Sequence, residues 1–248
     1  LRPPAGGAGL SFQREPVYAR PTWPASPGHQ QMQLHLDIEV DDLEAAGAAY
    51  EREGTVWFRG AAVAERSGVT PRYRHIANSA ATLSRPDAHF DMVRVGIAAY
   101  GLSPIAGQTF GLRPAMTARA RVTLAKRVPA GQGVSYGLTY TTPRETTLAV
   151  VPLGYGDGVP RHASNAAPVR IGGTVAPIAG RVCMDQVVVD VGDEPVAAGD
   201  VATLFGPGDD GEPTADDWAA AAGTINYEIV TRFGSGRVPR CYDGEVRP

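Results

Sequence analysis

The sequence predicts an α/β segment followed by a β-rich domain, and three observations carry that prediction. Strand-like and helix-like apolar patterns take turns through roughly the first hundred residues, the grammar of βα units. After Pro104 the texture changes to short alternating runs parted by Gly, Pro and Asp. The chain has 248 residues, 43 % of them hydrophobic, enough to bury one sizeable core or two smaller ones.

The elements follow in order. Residues 1–30 hold six Pro and four Gly, which predicts an irregular or extended start. From Met32 to Val40 the even positions (Met32, Leu34, Leu36, Ile38, Val40) are apolar and the odd ones polar, as in a half-buried strand. Asp41 then opens a helix, with Glu44 completing a capping-box spacing and Gly54 at its end. A second helix is expected over 58–67, strands around Arg74–Ala77 and Asp91–Val95, and the start of a short helix at Ala81–Leu83. In the second half, 117–124 alternates as one strand. Further strands are expected at Thr147–Pro152, Val169–Ile171, Pro177–Val182, Val187–Val191 and Val201–Phe205. One helix interrupts them: Thr214 can cap it, Asp216 and Asp217 suit its first turn, and Gly223 ends it.

Composition narrows the function. The formal charge is −3, from 23 Lys+Arg against 26 Asp+Glu, and no basic run is long enough to track a phosphate backbone, so nucleic acid is excluded as a partner. No apolar run has the length of a membrane span, and the first 30 residues lack the apolar core of a signal peptide. Cys183 and Cys241 form no metal or disulfide pattern, which fits a reducing cytoplasm. Of the basic residues only Lys126 is a lysine, so chemistry that needs an amine nucleophile has a single candidate. The first residue is Leu1 rather than Met, and the expectation is a fragment or an unusual start.

Four groups of motifs carry chemistry. They are Arg74-His-Ile-Ala-Asn-Ser-Ala-Ala-Thr82 with His89-Phe-Asp-Met-Val-Arg-Val-Gly-Ile97; Gly133-Val-Ser-Tyr-Gly137; Gly154-Tyr-Gly-Asp-Gly158 with Gly180-Arg-Val-Cys-Met-Asp-Gln186; and Thr224-Ile-Asn-Tyr-Glu228. In this order they resemble the pyridoxal 5'-phosphate (PLP) dependent alanine racemases, over about residues 59–243. The resemblance implies an incomplete remnant of a (β/α)8 barrel, its last βα units at 58–108, followed by a β-rich C-terminal domain at 109–248.

It also implies roles. Ser79, the backbone of Gly96 and Ile97, and Tyr227 would bind the cofactor phosphate, because a hydroxyl and free N–H groups can approach an anion where no Cβ obstructs them. Taken singly, Gly96 could serve a turn and Ser79 could cap a helix. Arg94 would face the pyridine nitrogen; a guanidinium stays protonated, keeps that nitrogen unprotonated and favours return of a proton to Cα. Tyr136 would be the acid/base on one face of Cα, assisted by His75 in a Tyr136–His75–Arg94 relay, since a phenol of ordinary pKa near 10 is a poor base at neutral pH. Tyr155 and Met184 would contact the substrate and narrow the entrance to a methyl-sized side chain. Asp157, Asp185 and Arg181 receive no catalytic role.

Two features depart from the resemblance. The family's Schiff-base lysine lies early in the barrel, and no matching motif occurs in this sequence; Lys126 is expected to be a solvated lysine at a strand end, leaving covalent attachment of PLP without a partner. A closed barrel takes about 250 residues, far more than the stretch ahead of the β-rich domain. Residues 11–54, within a first segment at 1–57, resemble instead the vicinal-oxygen-chelate proteins, through Ser11-Phe-Gln-Arg-Glu-Pro16, Arg20-Pro-Thr-Trp-Pro24 and the stretch from His35 to Ala46. His35 matches a frequent metal ligand there, but without the further ligands it is expected to be a strand histidine and no metal site follows. The expectation is therefore a truncated or chimeric product joined near residues 55–60.

The resemblance implies an amino-acid racemase supplying D-alanine for peptidoglycan. It would act as a homodimer, or as a heterodimer with an intact subunit to which it donates Tyr136. The competing expectations are a β-domain that folds or dimerises without turnover, and a residual metal-binding module in the N-terminal segment.

Overall fold

The computed structural model describes residues 73–234, 237–242 and 245–247. The expected strand at Met32–Val40, the helices after Asp41 and over 58–67, and His35 lie outside the described residues.

The described chain opens with two short extended segments held side by side. His75 pairs with Met92 in a parallel bridge. The Asp91 N–H donates to the Arg74 carbonyl (3.1 Å), and the Arg94 N–H donates to the Ala77 carbonyl (2.8 Å). The strands expected at Arg74–Ala77 and Asp91–Val95 are thus present only as this brief parallel contact. Between them lies helix α1 (Ser79–Ser84), started by Asn78, whose side chain accepts from the Ala81 N–H at 3.1 Å. Asn78 is the cap, not Ser79; the Ser79 hydroxyl is left for another use. A 3₁₀ turn at Ile97–Tyr100 follows.

From Ala118 the chain is β-rich. In chain order the strands are β1 (Ala118–Arg121), β2 (Leu124–Val128), β3 (Gly133–Val134), β4 (Tyr140–Thr141), β5 (Thr146–Val151), β6 (Pro168–Ile171), β7 (Thr174–Pro177), β8 (Val187–Gly192), β9 (Val201–Phe205), β10 (Arg240–Tyr242) and β11 (Glu245–Arg247). One antiparallel sheet has the order β1-β9-β6-β7 and another β2-β5-β8, while β3 pairs with β4 and β10 with β11. A bridge between Ile178 and Val189 ties the end of β7 to β8 and so joins the two larger sheets.

The alternation at 117–124 belongs to two strands rather than one. The Val122 N–H donates to the Asp200 carbonyl on the β9 side, and the next N–H, from Thr123, donates to Val150 in β5, so the chain changes sheet within two residues. The strand expected at Pro177–Val182 ends at Pro177, and only Ile178 continues the pairing. Val187, Val189 and Val191 point inward from β8 and are buried, as a two-residue repeat requires. Lys126 stands exposed at the centre of β2, opposite Leu148, not at a strand end.

Two helices seal one side. Helix α2 (Ala215–Ala222) is capped by Thr214 as its sequence predicts, and Asp217 returns the cap: the Asp217 N–H donates to Thr214 Oγ1 (3.2 Å) and the Thr214 N–H to Asp217 Oδ2 (2.8 Å). Its buried residues Ala215, Trp218 and Ala219 follow helical spacing. Trp218 is fully buried against Phe205, and its indole N–H donates to the Pro168 carbonyl (2.8 Å) and to that of Leu204. Helix α3 (Asn226–Arg232) has no counterpart among the elements the sequence predicts; it buries Ile229 and Val230 and carries Tyr227 on its first turn.

Candidate active site

Ser79, Gly96 and Tyr227 meet at one point. Ser79 is only 4 % exposed, and its Oγ accepts hydrogen bonds from the Gly96 N–H (2.9 Å) and the Ala98 N–H (3.3 Å). The Ile97 N–H lies between those two donors and takes no part in the pair. A Cβ on Gly96 would come within 2.7 Å of the Tyr227 hydroxyl, so glycine is what lets the phenol reach this backbone. The Tyr227 ring packs edge-on against Tyr100, at 5.9 Å between centroids. The Ser79 hydroxyl, with the Gly96 and Ala98 N–H groups turned onto its oxygen, and the Tyr227 phenol are thus gathered around the Gly96 backbone beside the Tyr100 ring, and the two hydroxyls are donors of the kind a phosphate accepts from.

His75 and Arg94 precede Ser79 and Gly96 on the two paired segments. All three pairings between their segments keep one offset of 17 residues, so His75 and Arg94 lie two residues apart along adjacent backbones. Arg94 is exposed and His75 half-buried.

Tyr136 stands elsewhere, on a tight turn between β3 and β4, and is 71 % exposed. Among the described residues its side chain makes no hydrogen bond, to His75 or to any other. The turn is tethered through Ser135, whose Oγ donates to the Arg181 carbonyl at 2.6 Å.

Tyr155 and Met184 are brought together by backbone pairing. The Tyr155 N–H donates to the Cys183 carbonyl (3.0 Å) and the Gly156 N–H to the Met184 carbonyl (2.9 Å). A Cβ on Gly154 would lie 2.3 Å from both of those oxygens, which is why a glycine precedes Tyr155. Both side chains remain exposed.

A residue that sequence patterns do not reveal holds this pair in place. Arg237 sits with Nε 3.2 Å from Asp157 Oδ1 and with a terminal nitrogen donating to Asp185 Oδ1 at 2.6 Å. Hydrogen bonding to Asp185, and then the charge of Asp157, raises the guanidinium's pKa further above its ordinary value. No local pattern links residue 237 to 157 or 185; only the fold does. Near the Tyr136 turn, Tyr140 donates to Asp190 Oδ2 at 2.7 Å, and burial first, then that bond, pushes its phenol up to about 12.

The family model of the alanine racemase C-terminal domain matches residues 115–242, and that of the alanine racemase N-terminal domain matches residues 30–104. The chain belongs to the alanine racemase family. The N-terminal match begins at residue 30, so it takes in the stretch from His35 to Ala46 that resembles the vicinal-oxygen-chelate proteins and crosses the junction expected near 55–60. The alanine racemase of Salinispora tropica is 72 % identical over 195 residues, 79 % of this chain and 52 % of its own length.

Among solved structures, the alanine racemase of Streptomyces coelicolor superposes with a TM-score of 0.70 at 54 % identity, over 91 % of this chain and 55 % of that one. The alanine racemase of D-cycloserine producing Streptomyces lavendulae gives 0.69 at 57 % identity, over 74 % and 49 %. The chain spans about half the length of the curated relatives it matches. Alanine racemases are PLP-dependent, and in the Ser79–Gly96–Tyr227 cradle the two hydroxyls gathered at the Gly96 backbone are groups of the kind that could hold the phosphate of that cofactor. Lys126 is exposed on β2, which pairs with β5.

Proposed function

We propose that this chain serves PLP-dependent interconversion of L- and D-alanine, with Ser79, Gly96, Ile97 and Tyr227 holding the cofactor phosphate. The observation that carries the reading is the buried Ser79 hydroxyl on the Gly96 backbone, with the Tyr227 phenol closing over the same glycine. When bound, PLP supplies an electron-withdrawing ring that makes the amino acid's Cα–H acidic.

The chain's own groups have distinct tasks. Tyr136 moves the Cα proton on one face, and its exposure suits delivery into a second subunit's site rather than its own. Arg94 provides a permanent positive charge beside His75, on the paired segment. Tyr155 and Met184, fixed to each other through backbone hydrogen bonds, limit the side chain admitted; a pocket separates one methylene from none by about 1–3 kcal/mol. The partner is a second copy or an intact subunit, and the reading places the reaction in the cytoplasm as a source of D-alanine for peptidoglycan. Among the described residues no helix is long and apolar enough to cross a membrane.

One observation favours a second reading, a β-domain that folds or dimerises without turnover: the sequence holds a single lysine, exposed on β2. The two are separated by incubating the chain with PLP and L-alanine in deuterium oxide, alone and mixed with a full-length relative whose matching tyrosine is replaced by phenylalanine. Deuterium at Cα in the mixture supports the first reading. A mixture no faster than the disabled relative supports the second, and a borohydride-reducible adduct on Lys126 would support a Schiff base and make that lysine a covalent anchor rather than a solvated one.

A further inference from the structure

An exposed phenol takes its direction from the backbone beneath it, and the backbone under Tyr136 is held in an uncommon shape. Ser135 has φ 61° and ψ −174°, a region populated almost only by glycine, and Gly137 (φ 71°) and Leu138 (φ 47°) follow with positive φ. A serine persists there only where its surroundings over-determine it. Those surroundings are specific. The Ser135 Oγ donates to the Arg181 carbonyl at 2.6 Å and lies 3.4 Å from Cys183 Sγ. Gly180 passes so close that a Cβ on it would meet Ser135 Cβ at 2.9 Å and the Val134 carbonyl at 2.8 Å.

The strip from Gly180 to Met184 thus receives the Tyr136 turn on one side. Through its Cys183 and Met184 carbonyls, it receives the N–H groups of Tyr155 and Gly156 on the other.

We infer that Ser135 is a positioning residue: its hydroxyl, bonded to Arg181, fixes the strained turn that aims Tyr136 and sets it against the strip that carries Met184. The inference rests on the reading of Tyr136 as the proton-transfer group, but its geometry can be tested apart from turnover. Both polar contacts of the Ser135 side chain with the strip run through the same Oγ, so removing one oxygen atom releases the aim while leaving the close approach of Gly180 in place.

Uniform labelling with 3-fluorotyrosine places fluorine on nine tyrosines, and the Y136F spectrum assigns position 136. In the wild type, position 136 gives one narrow resonance. S135A, which loses the bond but keeps the strain, and S135G, which loses the bond and relieves the strain, both shift or broaden it, while the Tyr227 resonance stays in place. G180A, whose new Cβ would meet the Val134 carbonyl at 2.8 Å and Ser135 Cβ at 2.9 Å, pushes the turn off the strip and reproduces the change with the Ser135 hydroxyl intact.

If position 136 is unchanged in S135A and S135G, the inference fails. It fails equally if Tyr227 moves as much as Tyr136, because the hydroxyl would then be supporting the domain rather than aiming one side chain. In the complementation assay the same variants lower kcat by roughly ten- to a hundredfold with KM for alanine within about twofold, the signature of a misplaced reacting group. A wild-type mixture without turnover would sink the racemase reading and leave the fluorine result to decide the positioning role.

Discussion

The Arg237 guanidinium lies 3.2 Å from the carboxylate of Asp157, and Asp157 is almost fully buried. The Asp157 carboxylate also accepts the Gly154 N–H at 2.9 Å, so the turn that presents Tyr155 is built around a buried charge with one neutralising partner. That guanidinium reaches on to Asp185, the residue after Met184. A single cation therefore ties together the two loops that would border the substrate.

Removing it should loosen both. R237A is expected to lower Tm by about 2–4 °C, the response of a domain this size to a modest loss, and to raise KM for alanine more than it lowers kcat. R237K should recover part of the Tm but less of the KM, because an ammonium cannot bond both carboxylates in a planar fork. Thermal unfolding and steady-state kinetics in the complemented assay check both.

G96A tests the cradle directly. The new Cβ would sit 2.7 Å from the Tyr227 hydroxyl and must displace it. PLP affinity is expected to fall at least about tenfold, the loss of one good phosphate contact, with far-UV circular dichroism unchanged. Fluorescence titration with PLP measures it.

Tyr140 gives a pH prediction with a definite sign. Its folded-state value, about 12, lies above the ordinary value of 10. The folded protein therefore holds this proton more tightly than the unfolded chain, and the stability linked to it is present below about pH 10 and lost as pH rises toward 12. Wild type should lose stability over that window, and Y140F should lose less, as followed by denaturant unfolding between pH 9 and 12.

W218F removes the indole N–H and leaves the Pro168 carbonyl without that donor. Loss of a buried hydrogen bond together with the vacated ring volume should cost roughly 2–4 kcal/mol. Urea unfolding should show a lower midpoint with an unchanged slope.

What can be read in the sequence follows from which interactions are local. The Thr214 cap and the Val187–Val191 strand depend on local sequence and are legible, whereas the return bond from Asp217 is not read from it. The alternation at 117–124 reveals a buried face but not that the chain changes sheet between Val122 and Thr123, because alternation says nothing of the pairing partner. Helix α3 escapes because it is seven residues long, holds β-branched residues and has no side-chain cap; tertiary packing of Ile229 and Val230 makes it.

The site divides in the same way. Ser79, Gly96, Ile97 and Tyr227 are found through motif resemblance, and the fold then joins Ser79, Gly96 and Tyr227 in one cradle. Arg237 cannot be found that way, since its partners are 80 and 52 residues away in the chain.

A phosphate held by Ser79, the Gly96–Ile97 backbone and Tyr227 is the central claim. Equilibrium binding of PLP compared with pyridoxal, which has the same aldehyde and ring but no phosphate, isolates that contribution from any reaction at an amine. The wild-type chain should bind PLP at least about tenfold more tightly than pyridoxal, with the difference collapsing in S79A and Y227F. Equal affinity for the two compounds, or a preference that survives both substitutions, would contradict it.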